Sequence, residues 1–343
     1  MTKPIKSYSP EEAESLLVSL GFPRYRVGQL LSWLYVKQAR SYDEMTDLPA
    51  ALRALLAKSY LLHGSAVEER QISQDGTRKY LISLFDGVLV ETVGIPSADG
   101  RLTVCCSSQA GCAMRCTFCA TGKAGLTRSL YSGEIVDQVL TVQNDFGRRV
   151  SNVVFMGQGE PFSNYDNTIG ALRILNSAKL LDIGARHITV STCGVLKGIE
   201  RFSKEPEQFT LAVSLHSALQ NTRDLLMPTL KRAPLTALRR ELLRYTERTN
   251  RRVTFEYALI KGINDSKRHL EALAAFCKGI LCHVNIIMFN DVPGSPYKPV
   301  SRRTLSQWEQ YLGTRNVNAT VRQSHGSDID GACGQLANSR RPQ

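Results

Sequence analysis

The sequence predicts an α/β protein: an open, partial (β/α)6 barrel behind a small N-terminal helical accessory domain. Three observations carry this expectation. From about residue 101, short apolar runs alternate with amphipathic stretches, the pattern of a parallel sheet with right-handed crossovers. About six such units fit, too few to close an eight-fold barrel. Before residue 65 the periodicity is that of successive helices.

In order along the chain, Ser9-Pro10-Glu11-Glu12 reads as a helix start. Ser9 caps, Pro10 takes the first helical position and Glu12 closes a capping box. Leu16, Leu17 and Leu20 share a face. A second helix holds Leu30, Leu31, Trp33 and Leu34, and Asp47-Leu48-Pro49 opens a third. Short strands fill 66–100, which is expected to be a linker to the core. The barrel is expected over 101–323, with strands at Val150–Met156, His187–Thr192, Phe209–Leu215, Val253–Leu259 and His283–Phe289, and one before Cys105. Helices are expected at Gly133–Gln143, Asn167–Ser177, Leu235–Thr249 and Lys267–Lys278. Residues 324–343 form a C-terminal loop. In such folds chemistry gathers at the C-terminal ends of the strands.

The chain has 343 residues, 43% hydrophobic, enough for a sizeable core. No apolar run reaches the roughly 18 residues of a membrane helix. The first residues lack the apolar segment of a secretory signal. A cytoplasmic protein without a membrane partner is the expectation. The net charge of +12 is unevenly spread: residues 1–170 carry 17 basic and 17 acidic side chains, and residues 171–343 carry 26 and 14. A polyanionic partner follows from that asymmetry. The densest basic run is Lys231, Arg232, Arg239, Arg240, Arg244, Arg248, Arg251 and Arg252. It is either a solvated face or a phosphate-binding one.

Five of the nine cysteines fall between Cys105 and Cys119. Clustered thiols in a chain without a secretory signal point to metal or redox chemistry rather than to a disulfide framework. Cys112, Cys116 and Cys119 form C-x3-C-x2-C. Three thiolates at this spacing can hold three corners of an iron–sulfur cube and leave the fourth iron open to a substrate. A structural zinc site would want four closed ligands. Gly157-Gln158-Gly159-Glu160-Pro161 follows a strand; its glycines permit a close backbone approach, although an ordinary strand-end turn would use them as well. Ser191, Ser214-Leu215-His216 and Asn290 end three further strands and would ring one mouth of the sheet. Cys333 lies among Gly326, Gly331 and Gly334, in what reads as a mobile or exposed loop unless it is a plain buried thiol. Glu91 sits in Val90-Glu91-Thr92-Val93, where a solvated edge-strand carboxylate is the simplest expectation.

The C-x3-C-x2-C triplet is how the radical S-adenosylmethionine superfamily begins. Taken with Cys105-Cys106-Ser107-Ser108-Gln109-Ala110-Gly111-Cys112, Gly157 to Pro161, Ser214-Leu215-His216 and Asp328 to Leu336, the chain resembles the RlmN/Cfr family of RNA adenine methyltransferases over nearly its whole length. The resemblance implies a radical-SAM partial barrel and one 4Fe–4S cluster on Cys112, Cys116 and Cys119. It implies S-adenosylmethionine, two per turnover, bound by Gly159, Glu160, Ser191, Ser214, Leu215, His216 and Asn290. It implies that Cys333 is methylated by one cofactor and loses a hydrogen to a radical made from the second. The carbon radical then adds to adenine, whose C2 is too poor a nucleophile to attack a methylsulfonium. Cys105 is implied as the thiol that releases the product and forms a disulfide with Cys333, and Glu91 as the proton acceptor. Implied substrates are adenine 2503 in 23S rRNA, methylated at C2, and adenine 37 in tRNAs, with flavodoxin or ferredoxin as reductant. The alternatives are C8 methylation of the same rRNA adenine and a zinc-stabilised RNA-binding protein without catalysis. Cys106, Gln158, Cys193 and Gly331 depart from common family residues.

Overall fold

The computed structural model describes residues 4–62, 64–230, 233–292 and 294–338. Three helices open the chain, α1 (Pro10–Ser19), α2 (Arg26–Tyr35) and α3 (Ala50–Ser59). Three strands follow, β1 (Ser65–Ile72), β2 (Arg78–Leu84) and β3 (Leu89–Pro96). Next come β4 (Leu102–Cys105), β5 (Gln109–Gly111), α4 (Ala120–Ala124), β6 (Leu126–Ser129) and α5 (Ser132–Phe146). The alternation then runs β7 (Asn152–Phe155), α6 (Tyr165–Asn176), β8 (Ile188–Thr192), α7 (Leu196–Phe202), β9 (Thr210–Ser214), α8 (Gln220–Leu226) and α9 (Leu235–Thr249). It ends with β10 (Val253–Leu259), α10 (Lys267–Cys277), β11 (Cys282–Met288), α11 (Arg302–Thr314) and β12 (Ala319–Arg322).

Ten strands form one open sheet in the order β1-β2-β3-β4-β7-β8-β9-β10-β11-β12. From β4 to β12 every neighbouring pair is parallel, so six βα units are followed by β12 as a last strand. The alternation in the sequence reflects this arrangement directly. β10 is buried along almost its whole length, as expected of a strand covered on both faces. α9 buries Leu235, Leu238, Leu242 and Tyr245 at helical spacing, and Asn250 ends it in the left-handed conformation.

Two expectations change. Residues 66–100 are more than a linker: β1, β2 and β3 pair antiparallel with one another and with β4, extending the barrel sheet at one edge. α11 and β12, two elements beyond those expected, complete the other edge. The capping box at Ser9 and Glu12 forms as expected. The N-terminal helices share the barrel's core, with Leu17, Leu30, Leu34, Tyr35, Leu52 and Leu56 in one apolar cluster with the sheet. Lys6 pins this module to α5 by a buried ion pair with Asp137 at 2.7 Å.

Candidate active site

The C-terminal ends of β7, β8, β9, β10 and β11 open into one cavity. Its lining includes Cys112, Cys116 and Cys119 on one side and Gly159, Glu160, Ser191, Ser214, His216 and Asn290 around the rim. Cys333 reaches it from the C-terminal segment. Of the residues expected at this mouth, Leu215 alone lies off it: its side chain is fully buried in the main core, and its amide donates to Glu256 O at 3.0 Å.

The cysteine loop is an insertion in the small hairpin of β5 and β6. Cys112 N donates to Gly125 O, closing the loop on itself, and Thr117 N donates to Leu226 O, tying it to the end of α8. Burial pushes the Cys112 thiol up to about 11. Burial raises Cys116 further, and the nearby Cys119 and Cys112 add to it. Among the described residues no group of three or more His, Cys, Asp or Glu is arranged to hold a metal ion. A cluster that takes each thiolate on a separate iron fits three cysteines distributed along one cavity wall.

The glycines after β7, which line the cavity, also make a close approach within the chain. Gly159 has φ +97°, and a Cβ there would lie 2.6 Å from Gln109 Cβ. The close approach is therefore to the chain's own β5, which lets Gln109 Oε1 accept from Glu160 N at 2.9 Å. Glu160 is buried and accepts from Cys193 N at 2.7 Å and Phe162 N at 3.0 Å, while burial holds its carboxyl above the usual range. His216 Nδ1 accepts from Ala258 N at 3.0 Å, so in the neutral ring the proton is on Nε2. Burial, with Arg223 adding, pushes its pKa down to about 3.

A second cavity opens beside the first. It is lined by Cys105, Met156, Arg322, His325 and Cys333. Cys333 thus borders both spaces, and its neighbour Asn290 donates to Cys333 O at 3.1 Å. Cys333 is accessible through these openings, yet the protein around it still raises its thiol. Cys105 is buried against Val93 and Leu336, and burial, with Cys333 nearby, pushes its thiol up to about 12. Cys106 points the other way, into the main core. All nine cysteines are free thiols.

The loop around Cys333 is held more firmly than its glycines suggest. Asp328 accepts from Ser73 Oγ at 2.6 Å and Gln74 N at 3.2 Å, and Gly326 N donates to Asp75. On the far side Ala120 N donates to Gly334 O and Thr121 Oγ1 to Leu336 O at 2.7 Å. Glu91 completes the attachment: its Oε2 accepts from Ala337 N at 2.7 Å and Asn338 N at 3.0 Å. Glu91 is not the solvated edge carboxylate that its sequence suggests. It is 1% exposed on an interior strand and paired with Lys79 at 3.2 Å, and it lines neither cavity.

Lys79, Arg223 and Glu256 were missed in the sequence. Glu256 had a signal, a lone carboxylate within an apolar strand. It is buried, lines the first cavity, accepts from Asn285 Nδ2 at 2.9 Å and lies 3.7 Å from Arg322. Among the described residues, the part of the basic run from Arg239 to Arg252 does not line the site. Arg248, Arg251 and Arg252 lie where α9 turns into the start of β10, at the pole opposite the strands' C-terminal ends. Arg251 donates to Glu207 O and Phe209 O, Arg248 donates to Ser203, and Arg244 pairs with Glu241. Lys231 and Arg232 lie outside the described residues, as do 339–343.

Known proteins bear on this site. The Radical SAM superfamily pattern matches residues 106–276, and the ribosomal RNA large subunit methyltransferase N-terminal domain matches residues 5–62. The chain is 43% identical to a "Probable dual-specificity RNA methyltransferase RlmN" of Bacillus cereus (strain B4264), over 100% of this chain and 96% of that one. It is 45% identical to a protein of the same description from Synechocystis sp., covering 99% and 96%. A crystal structure of a radical SAM methyltransferase from Sphaerobacter thermophilus superposes with a TM-score of 0.91 at 44% identity, covering 98% of this chain and 100% of that one.

Proposed function

The chain belongs to the RlmN family of radical S-adenosylmethionine RNA methyltransferases, and from that premise we propose that it methylates C2 of an adenine in 23S rRNA, and of an adenine in tRNA, with Cys333 as the methyl carrier. The observation that supports this most is the position of Cys333 between the cavity of Cys112, Cys116 and Cys119 and the cavity of Cys105. One thiol that borders both can be loaded in the first and can deliver its carbon in the second.

When bound, the 4Fe–4S cluster supplies the electron that splits S-adenosylmethionine into a hydrogen-abstracting radical. Cys112, Cys116 and Cys119 would hold it; Gly159, Glu160, Ser191, Ser214, His216 and Asn290 would orient the cofactor. Cys333 takes up a methyl group from one cofactor and gives up one of its hydrogens when the second is cleaved, which sets the use at two per turnover. Cys333 then presents its carbon to an adenine that has been unstacked from the RNA. The adduct gives up its C2 proton and one electron, which would return to the cluster when one is bound; the Cys105 thiolate then attacks Cys333 Sγ, the sulfur–carbon bond breaks with its electron pair passing to the carbon, that carbon takes up a proton to become the methyl group, and a Cys105–Cys333 disulfide is left for a reductant to reopen. Cys106 cannot substitute, since it faces the core. Glu91 is the proposed proton acceptor, and to serve as one its Oε2 must first release the Ala337 and Asn338 amides. A flavodoxin or ferredoxin would supply electrons in the cell.

Mass spectrometry of modified RNA tests the proposal. C2-methyladenosine from wild type, and no methylation from a cluster-loaded Cys333→Ala variant, are the expected results. C8-methyladenosine would reassign the regiochemistry, and methylation by Cys333→Ala would refute the carrier role.

A further inference from the structure

Arg223 heads the fully buried side chains by volume, at 1% exposure. It projects from α8 toward the turn after β8, where its Nη2 donates to Cys193 O at 2.6 Å. Gly194 makes room for it: with φ +105°, it would carry a Cβ only 3.2 Å from Nη2. Among the described residues no carboxylate lies within ion-pair distance of this guanidinium, and its Nε is buried without a hydrogen-bond partner. A buried, uncompensated cation is a costly arrangement, and a guanidinium cannot escape it by losing its proton.

The charges nearest to it point to what compensates it. Arg223 interacts electrostatically with Cys193 and Cys116, and more weakly with Asp224, and the helix that carries it is bonded through Leu226 O to the cysteine loop at Thr117. It lines neither cavity, so it contacts neither cofactor nor RNA from where it stands. The site holds a buried anion already in Glu160, which Cys193 N and Phe162 N satisfy. Three thiolates on an iron–sulfur cube would add net negative charge on the loop to which α8 is tied.

We propose that Arg223 is a positioning residue that serves as the fixed counter-charge of the cluster and raises its reduction potential. This rests on the cluster assignment made above. One-electron reduction adds a negative charge to the cluster without making or breaking a bond; Arg223 stays protonated and favours the reduced form. In the assay dithionite supplies the electron.

Two measurements test this on Arg223→Met and Arg223→Lys. The first is thermal unfolding of cluster-free protein. Because no carboxylate among the described residues forms an ion pair with the cation there, Arg223→Met should melt at or above the wild-type temperature. A lower melting temperature, or failure to fold, would mean the side chain is a structural brace and would overturn the proposal. The second is an EPR-monitored redox titration of reconstituted protein. At the wild-type midpoint potential, the ratio of reduced to oxidised cluster should fall about tenfold in Arg223→Met, equivalent to about 59 mV for one electron, and Arg223→Lys should remain within twofold of wild type. An unchanged midpoint in Arg223→Met refutes the counter-charge role. Wild-type protein that binds no iron at all would instead refute the cluster assignment, which separates the two failures.

Discussion

Glu91 fastens the Cys333 segment, and the strength of that attachment can be predicted from its geometry. The informative perturbation is the pair Glu91→Ala with Lys79→Met. Removing both partners avoids leaving either ion buried alone, which would by itself cost about 3–5 kcal/mol. What disappears is the acceptor of two backbone amides, Ala337 N and Asn338 N. A hydrogen bond to a charged group is worth about 1.5–3 kcal/mol. The lower figure for both bonds gives roughly 3 kcal/mol, and at about 1.4 kcal/mol per factor of ten their exchange protection should fall roughly a hundredfold. Hydrogen exchange resolved to single residues measures this in anaerobic, cluster-loaded protein. Amides in β10, remote from the change, should keep their rates. If Ala337 and Asn338 change by less than threefold, Glu91 does not hold the segment and the reasoning fails.

Other outcomes follow from the same geometry. With its thiol raised to about 12, Cys105 is thiolate in a fraction that grows tenfold per pH unit, so single-turnover disulfide closure should accelerate roughly tenfold per unit from pH 7 to 9; Cys106→Val should leave multiple turnover within twofold of wild type. His216 is held neutral, with its pKa near 3 against about 6.5 when unfolded. Its contribution is complete above pH 6.5 and is lost as pH falls toward 3. Urea unfolding should therefore show wild type losing about 2 kcal/mol more than His216→Gln between pH 7 and pH 5; equal losses would refute the assignment. Arg244→Ser with Arg248→Ser should leave RNA affinity within twofold in a filter-binding assay, because these residues lie at the pole away from the site.

The barrel was legible because buried parallel strands and amphipathic helices write different periods into the sequence. Leu235–Thr249 and Val253–Leu259 match the structure at both ends. The cysteine triplet was legible because its spacing is local, and the strand-end residues because such folds gather chemistry there. Long-range pairings left no such trace. Nothing in Val90-Glu91-Thr92-Val93 shows that Lys79 lies opposite, or that residues 337 and 338 donate to the carboxylate. The ends of the sheet were hard for a related reason: β12 has four residues and is half exposed, so it lacks a clear alternation. α11 did carry a helical signal in Leu305, Trp308 and Leu312, which the search for strands passed over. Positive charge agrees with membership of an RNA methyltransferase family, but a count along the chain cannot tell which pole of the barrel a helix end reaches.

The two-sided fastening of the Cys333 segment also bears on the order in which the molecule can be completed. Its contacts with the β1–β2 turn and with Glu91 span separations of 246 to 255 residues. Contacts of that range form late, because closing so long a loop must precede any gain from the bonds. The sheet from β1 to β11 can therefore assemble while Cys333 is still unplaced. A chain halted before residue 333 would keep the cysteine triplet and the strand-end residues of the first cavity but would lack the one thiol that borders both cavities.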